Sequence, residues 1–254
     1  MGDIPMDAWV RKLVTGGLLA VFVTASAVAA GEQAVRVAVI GNSPPMSYID
    51  ESGKLTGFNI EMAHALCATM KMRCEILPTP LDKVVDAVSA GEMDFAVVSL
   101  LATPERRKKV LFSKPYYRSL SIWLSKPSVK PGSPRTTVAV VNGSAQAQHA
   151  ENQGWKTKRV TNHREVSAAL VAGDAEATVV PMLTAVSLME KPSLQALGLE
   201  STVLSDPLIS GDVCISIHPG RPELREKIDA ALDEIKRDGR FDRINSQFLP
   251  FRLL

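Results

Sequence analysis

Aromatic side chains make up only 5% of the 254 residues, histidine occurs four times and cysteine three times, and the net charge at pH 7 is +2. Each scarcity removes a class of function. Twenty-nine Lys and Arg against 27 Asp and Glu leave no charge excess to hold the chain on nucleic acid or an acidic membrane, so neither is expected as a partner. The histidines, His64, His149, His163 and His218, stand at no metal-ligand spacing and beside no Ser or Cys nucleophile motif. No glycine-rich phosphate loop is present. Neither a metal nor a cofactor is therefore expected, and a monomer is the simplest state. Past residue 30 no apolar stretch is long enough to span a bilayer.

The one long apolar run lies at the start. Arg11 and Lys12 precede Leu13 to Val28, and Ala27, Val28 and Ala29 form an A-x-A cleavage pattern. Residues 1–29 read as a cleaved secretory signal peptide, with an uncleaved anchor as the weaker reading. The mature protein is then exported, to the periplasm in a Gram-negative cell. The cysteines fit that compartment. Cys67 and Cys74 lie close in sequence across a helix end and a strand start, where a bridge over so short a loop stabilises by about 2 kcal/mol. Cys214, in Val213-Cys214-Ile215, reads as an inert thiol in a buried strand.

What is present is organised around Gly91 to Tyr117. Phe95 to Leu100 is a Val-rich run suited to a strand buried on both faces of a parallel sheet. Thr103 then caps a helix, Pro104 fits its first position, and Glu105 complements the dipole. Arg106 falls in that first turn, just past the carboxyl end of a strand, where open α/β sheets bind ligands and a planar fork suits a carboxylate or phosphate. The competing reading is a solvated basic face, and it is preferred for Arg107, Lys108 and Lys109.

Elsewhere strands and helices alternate. Val35 to Ile40 is a strand ended by Gly41-Asn42-Ser43-Pro44-Pro45, Tyr48 to Leu55 reads as a hairpin, and Pro222 opens a helix with an apolar stripe of Leu224, Ile228, Ala231, Leu232 and Ile235. Val138 to Ser144 repeats Val37 to Ser43, and Ala172 to Val180 repeats Ala90 to Val98, in the same order. Two similar α/β lobes follow, with the proline-rich Lys126 to Pro134 expected between them. If the last helices return to the first lobe, the chain crosses twice, near Ser121 to Lys126 and near Ser210 to Cys214, and paired crossings make a hinge. The expected division is residues 30–122 with 214–254 as one lobe and 123–213 as the other.

These residues resemble the periplasmic solute-binding proteins of the polar amino acid type, family 3, especially those for histidine and for lysine, arginine and ornithine. The resemblance rests on the Pro-Pro loop, Gly57-Phe58-Asn59-Ile60, the Cys67 and Cys74 pair, Pro80-Leu81-Asp82, Thr103-Pro104-Glu105-Arg106, Phe112 to Tyr117, and Asp238 to Ile244. It implies the two-lobed type II fold, with two parallel or mixed sheets flanked by helices and joined by a two-strand hinge, closing on a solute for an ABC permease. It also implies site residues. Arg106 matches the carboxylate-gripping arginine, Ser99 a neighbouring contact, and Leu81 an apolar wall, while Ser144, Ala145 and Gln146 match the helix-opening loop that meets the same carboxylate. Ser144 is equally a plain N-cap, and the two roles are compatible. Four matched positions depart from the pattern. Ile40 and Pro181 stand where acids face an ammonium group, Ser43 where an aromatic wall is usual, and Leu101 where a hydroxyl is usual. The expected solute is a small carboxylate, with Glu176 or Asp206 as substitute acids in the second reading. Two alternatives are a ligand-reading partner of a sensor kinase or chemoreceptor, and an enzyme similar to the exported cyclohexadienyl dehydratases on the same fold.

Overall fold

The computed structural model describes residues 34–253, and the expected signal peptide lies outside them. From β1 (Val35–Val39) the chain enters three short strands, β2 (Asn42–Ser43), β3 (Ser47–Ile49) and β4 (Leu55–Thr56), paired antiparallel as a small ribbon. The Pro44–Pro45 peptide within it is cis. Next come α1 (Phe58–Thr69), β5 (Cys74–Pro78), α2 (Leu81–Ser89), β6 (Phe95–Leu101), α3 (Pro104–Arg107) and β7 (Leu111–Ser119). Continuing, β8 (Ser121–Ser125), β9 (Thr137–Val141), α4 (Ala145–Asn152), β10 (Lys156–Val160), α5 (His163–Ala172), β11 (Ala177–Pro181), α6 (Met182–Met189), α7 (Pro192–Gln195) and β12 (Glu200–Leu204) follow. β13 (Gly211–Ile217), α8 (Pro222–Arg237) and α9 (Arg240–Phe248) end the chain.

The strands form two five-stranded sheets with the same plan, β5-β1-β6-β13-β7 and β10-β9-β11-β8-β12. In each, the first three strands run parallel and the fourth and fifth antiparallel to their neighbours, so both sheets are mixed and β6 has only one parallel neighbour. The repeated segments seen in the sequence fall on equivalent strands, β1 with β9 and β6 with β11. The fourth strand of each sheet arrives from the other sheet. β8 follows β7 after Leu120 alone, and β13 follows β12 across six residues. The proline-rich Lys126 to Pro134 does not join the sheets, contrary to expectation. It links β8 to β9 inside the second sheet, because the change of sheet has already taken place at Leu120, where no turn residue marks it.

The few aromatics are concentrated where they bury most. Phe58 stacks on Tyr116 with ring centres 6.2 Å apart and meets the edge of Phe241 at 5.6 Å, fixing α1 and α9 against β7. The stripe of α8 is buried at the five expected positions, under the same first sheet. On the opposite face Val84 and Val88 of α2 pack on Ala38, Ala96 and Val98. Gly57 opens α1 at φ 121, where a Cβ would stand 2.6 Å from the Met46 carbonyl oxygen. That close approach sets Asn59 in the core.

Cys67 and Cys74 are bridged, with Cα atoms 6.1 Å apart, tying the end of α1 to β5. Cys214 is free and buried in β13, and burial pushes its thiol up to about 11. Thiol labelling of the denatured, non-reduced protein is expected to modify one cysteine, Cys214, and all three only after reduction. Three modified thiols before reduction would contradict the bridge.

Candidate functional site

The carboxyl ends of both parallel strand sets face one cleft, as open α/β sheets require of a ligand site. Its floor on the first side is the end of β6. Ser99 there has φ 60, a left-handed conformation that costs a non-glycine residue about 1–3 kcal/mol. The ladder to β13 slips at the same place, between Cys214 and Ser216. A buried network holds the strained residue. The Ser99 amide donates to the Tyr116 hydroxyl at 3.2 Å, that hydroxyl donates to Asn59 Oδ1 at 2.9 Å, and Asn59 Nδ2 donates to Ser99 Oγ at 2.9 Å. Strain of this kind, over-determined by its surroundings, concentrates at ligand sites.

Past β6 the Thr103 hydroxyl accepts from the Arg106 amide and caps α3, as expected. The four basic residues then part company. Arg107 lies over the Phe112 ring, Lys109 pairs with Asp86, Lys108 is exposed, and Arg106 alone turns into the cleft. Its guanidinium donates to the Leu101 carbonyl at 2.9 Å and, from the other nitrogen, to the Gly143 carbonyl of the second lobe at 2.8 Å. Among the described residues no carboxylate forms a salt bridge with it. Burial lowers its pKa to about 10, with Glu105 opposing, so it stays charged at neutral pH.

On the second side α4 begins at the cleft. The Ser144 hydroxyl accepts from the Ala147 amide, leaving the first-turn amides of Ala145 and Gln146 pointing along the helix start, where anions are favoured. Gln146 is buried, and its Nε2 is committed to Ser121 Oγ at the strand crossing, 2.9 Å away. Ser121 Oγ donates in turn to the Ile209 carbonyl, so the helix start is fastened to both crossings. Gly143, at φ 74, lets the loop press against α2. A Cβ there would lie 2.4 Å from Asp82 Cα.

All nine residues singled out in the sequence, Ser43, Leu81, Ser99, Leu101, Arg106, Ser144, Ala145, Gln146 and Pro181, line this one cavity of about 60 Å³. Ile40 lines it too, and among the described residues no Asp or Glu does. The two acids considered as substitutes are occupied elsewhere. Glu176 accepts from the Thr137 amide at the start of β9, and Asp206 meets His149 Nδ1 at 3.1 Å. Several lining residues escaped the sequence, His163 and Thr184 among them. His163, the first residue of α5, reaches across to Ser43, Nδ1 to Oγ 3.1 Å, and pairs a histidine with a serine 120 positions away. Burial and then the charge of Lys191 hold its pKa down to about 4, so it is neutral at pH 7. The only sequence signal was its place at a helix start after Asn162.

The profile of bacterial extracellular solute-binding proteins, family 3, matches residues 35–251. The chain is 26% identical over 244 residues to the ABC transporter arginine-binding protein 1 of Escherichia coli strain K12, covering 94% of this chain and 99% of that one. Among solved structures it is similar to an ancestral arginine-binding protein bound to arginine, with a TM-score of 0.75, 28% identity and coverage of 85% and 97% of the two chains. A third likeness is to an ancestral amino acid-binding protein described as a precursor of cyclohexadienyl dehydratase, with a TM-score of 0.74, 26% identity and coverage of 85% and 95%.

Replacing Tyr116→Phe leaves the Ser99 amide and Asn59 Oδ1 without their partner in a buried place. The expected loss is about 1–3 kcal/mol of unfolding free energy in urea titration. A loss within 0.5 kcal/mol of zero would show that the network does not hold Ser99.

Proposed function

This chain belongs to the bacterial extracellular solute-binding proteins, family 3, and from that premise we propose that it captures a small carboxylate-bearing solute between two closing lobes and presents it to an ABC transporter in the periplasm. The observation that carries the reading is Arg106, a half-buried guanidinium without a carboxylate partner, in a cleft lined by no acid. A buried charge calls for a counter-charge, and a solute carboxylate can bring it. Arg106 supplies the fork, while the Ser144 loop supplies first-turn amides and a hydroxyl. Leu81, Leu101, Ile40 and Pro181 offer apolar walls, and Ser43 and Ser99 add hydroxyls.

Arginine, named for two of the relatives, fits this cleft poorly. With Ile40 and Pro181 where acids are usual, an α-ammonium or a second guanidinium would be desolvated without a partner. The preferred solute is an organic acid without an ammonium group. Transport is favoured over sensing by the relative named for an ABC transporter. Binding is favoured over catalysis because no described lining residue is a carboxylic acid and the histidine there, His163, is engaged by Ser43. A solute recovered chemically unchanged after prolonged incubation is the expected result, and conversion would favour the dehydratase-like reading.

The lobes are residues 34–120 with 211–253, and residues 121–204, turning about Leu120 and the segment between β12 and β13. Arg106–Gly143 and Ser43–His163 then belong to a closed state, and a solute enters when they part. Small-angle scattering is expected to show a more compact particle with solute than without. Gly143→Ala is expected to abolish that compaction, since its Cβ collides with Asp82 only on closure. A variant that still compacts would count against this geometry.

Calorimetric titration of simple carboxylic acids tests the clamp. Arg106→Ala is expected to lose 2–5 kcal/mol of binding free energy, because one partner of a buried charge pair is removed. Arg106→Lys is expected to bind poorly as well, since a point charge cannot reproduce the fork. Lys108→Ala, on the exposed face, is the control and is expected to bind normally. Native affinity in Arg106→Ala, or tight binding of an α-amino acid by the unmodified protein, would refute the reading.

A further inference from the structure

The mouth of the cleft carries a second cationic group that the carboxylate clamp does not use. A roomier cavity of about 360 Å³ opens there between Tyr48 and Ile49 of the first-lobe ribbon and His163, Arg164, Ser187 and Lys191 of the second lobe. His163 and Thr184 line both this cavity and the cleft, so the two share a wall. No acid lines either.

Several cations elsewhere on this surface have found carboxylates. Lys114 pairs with Asp233, Lys158 with Asp174, Arg159 with Glu151, and Arg252 with Asp242. Among the described residues Lys191 and Arg164 have no such partner, although they are close enough to disturb one another. The half-buried Lys191 has its pKa lowered by burial and then by the charge of Arg164, and Lys191 in turn adds to the burial that keeps His163 neutral. Like charges gathered without a counter-ion destabilise the empty protein, and an anion seated among them relieves both the repulsion and the desolvation. Tyr48, Ser187 and Thr184 hydroxyls supply the hydrogen-bonding rim such a group needs.

We propose that the solute is a linear dianion, with one carboxylate at Arg106 and a second oxyanion at the cleft mouth held by Lys191, with Arg164 supporting it and His163 at the junction. The proposal rests on the carboxylate clamp and deepens it, since it assigns the far end of the solute. It also accounts for the absence of acids from the whole path, which a cationic or zwitterionic solute would leave unexplained.

Titration with straight-chain α,ω-dicarboxylates of four to eight carbons, each beside the monocarboxylate of the same length, decides it. At one or more lengths the dicarboxylate is expected to bind at least tenfold tighter. Lys191→Met is expected to remove that preference while leaving monocarboxylate affinity within about twofold, and Arg164→Gln to reduce the preference several-fold. Arg106→Ala is expected to weaken both series together. Equal affinity of the two series at every length overturns the dianion proposal and leaves the clamp standing, as does a preference that survives Lys191→Met. Failure of both series to bind overturns the clamp, and the dianion proposal with it. Should Lys191→Met misfold, Lys191→Gln replaces it with the same expected outcome.

Discussion

The arrangement turns on a guanidinium that, among the described residues, no carboxylate contacts. Arg106 is carried into the cleft by a single helical turn, and its two terminal nitrogens satisfy themselves on backbone carbonyls from opposite sides, Leu101 and Gly143. Carbonyl oxygens satisfy donors but do not cancel charge. Its donors are thus met by carbonyls while its charge is not cancelled by them, a condition that favours an anion nearby. Because one of the carbonyls lies on the far lobe, the same side chain joins the two lobes.

That link has consequences only because the sheets exchange strands. Each sheet receives its fourth strand from the other half of the chain, so two adjacent segments, at Leu120 and between Leu204 and Gly211, are the covalent connections between the halves. Ser121 ties them by donating to Ile209 and accepting from Gln146, and so couples the crossing to the start of α4, where a carboxylate would rest. A rigid register inside each sheet and two short connections between them concentrate motion at one place.

The polar core beside the site serves a different end. Ser99 holds a left-handed conformation that Gly would adopt freely, and Asn59 and Tyr116 are buried to support it. Their burial holds the bend at the end of β6, whose Leu101 carbonyl accepts from Arg106. Few aromatics are available, and several of them, Phe58, Tyr116, Tyr117 and Phe241, are massed under this corner.

The sequence by itself determined the alternation of strands and helices, the capped turn bearing Arg106, the stripe of α8 and the order of the repeated halves. Each of these is written in local periodicity, in capping residues or in the placement of proline, and local interactions decide them. It also carried nine residues that come to line one cavity, because loops at strand ends converge in any sheet of this winding. Only the tertiary structure decided where the chain changes sheet, since Leu120 carries no turn signal while the prolines of Lys126 to Pro134 do. Only it decided that His163 meets Ser43, that Gly143 must lack a Cβ because Asp82 lies behind it, and that Lys191 and Arg164 stand together at the cleft mouth. Those are meetings between residues far apart in the chain. Their energies depend on distances that no local pattern encodes.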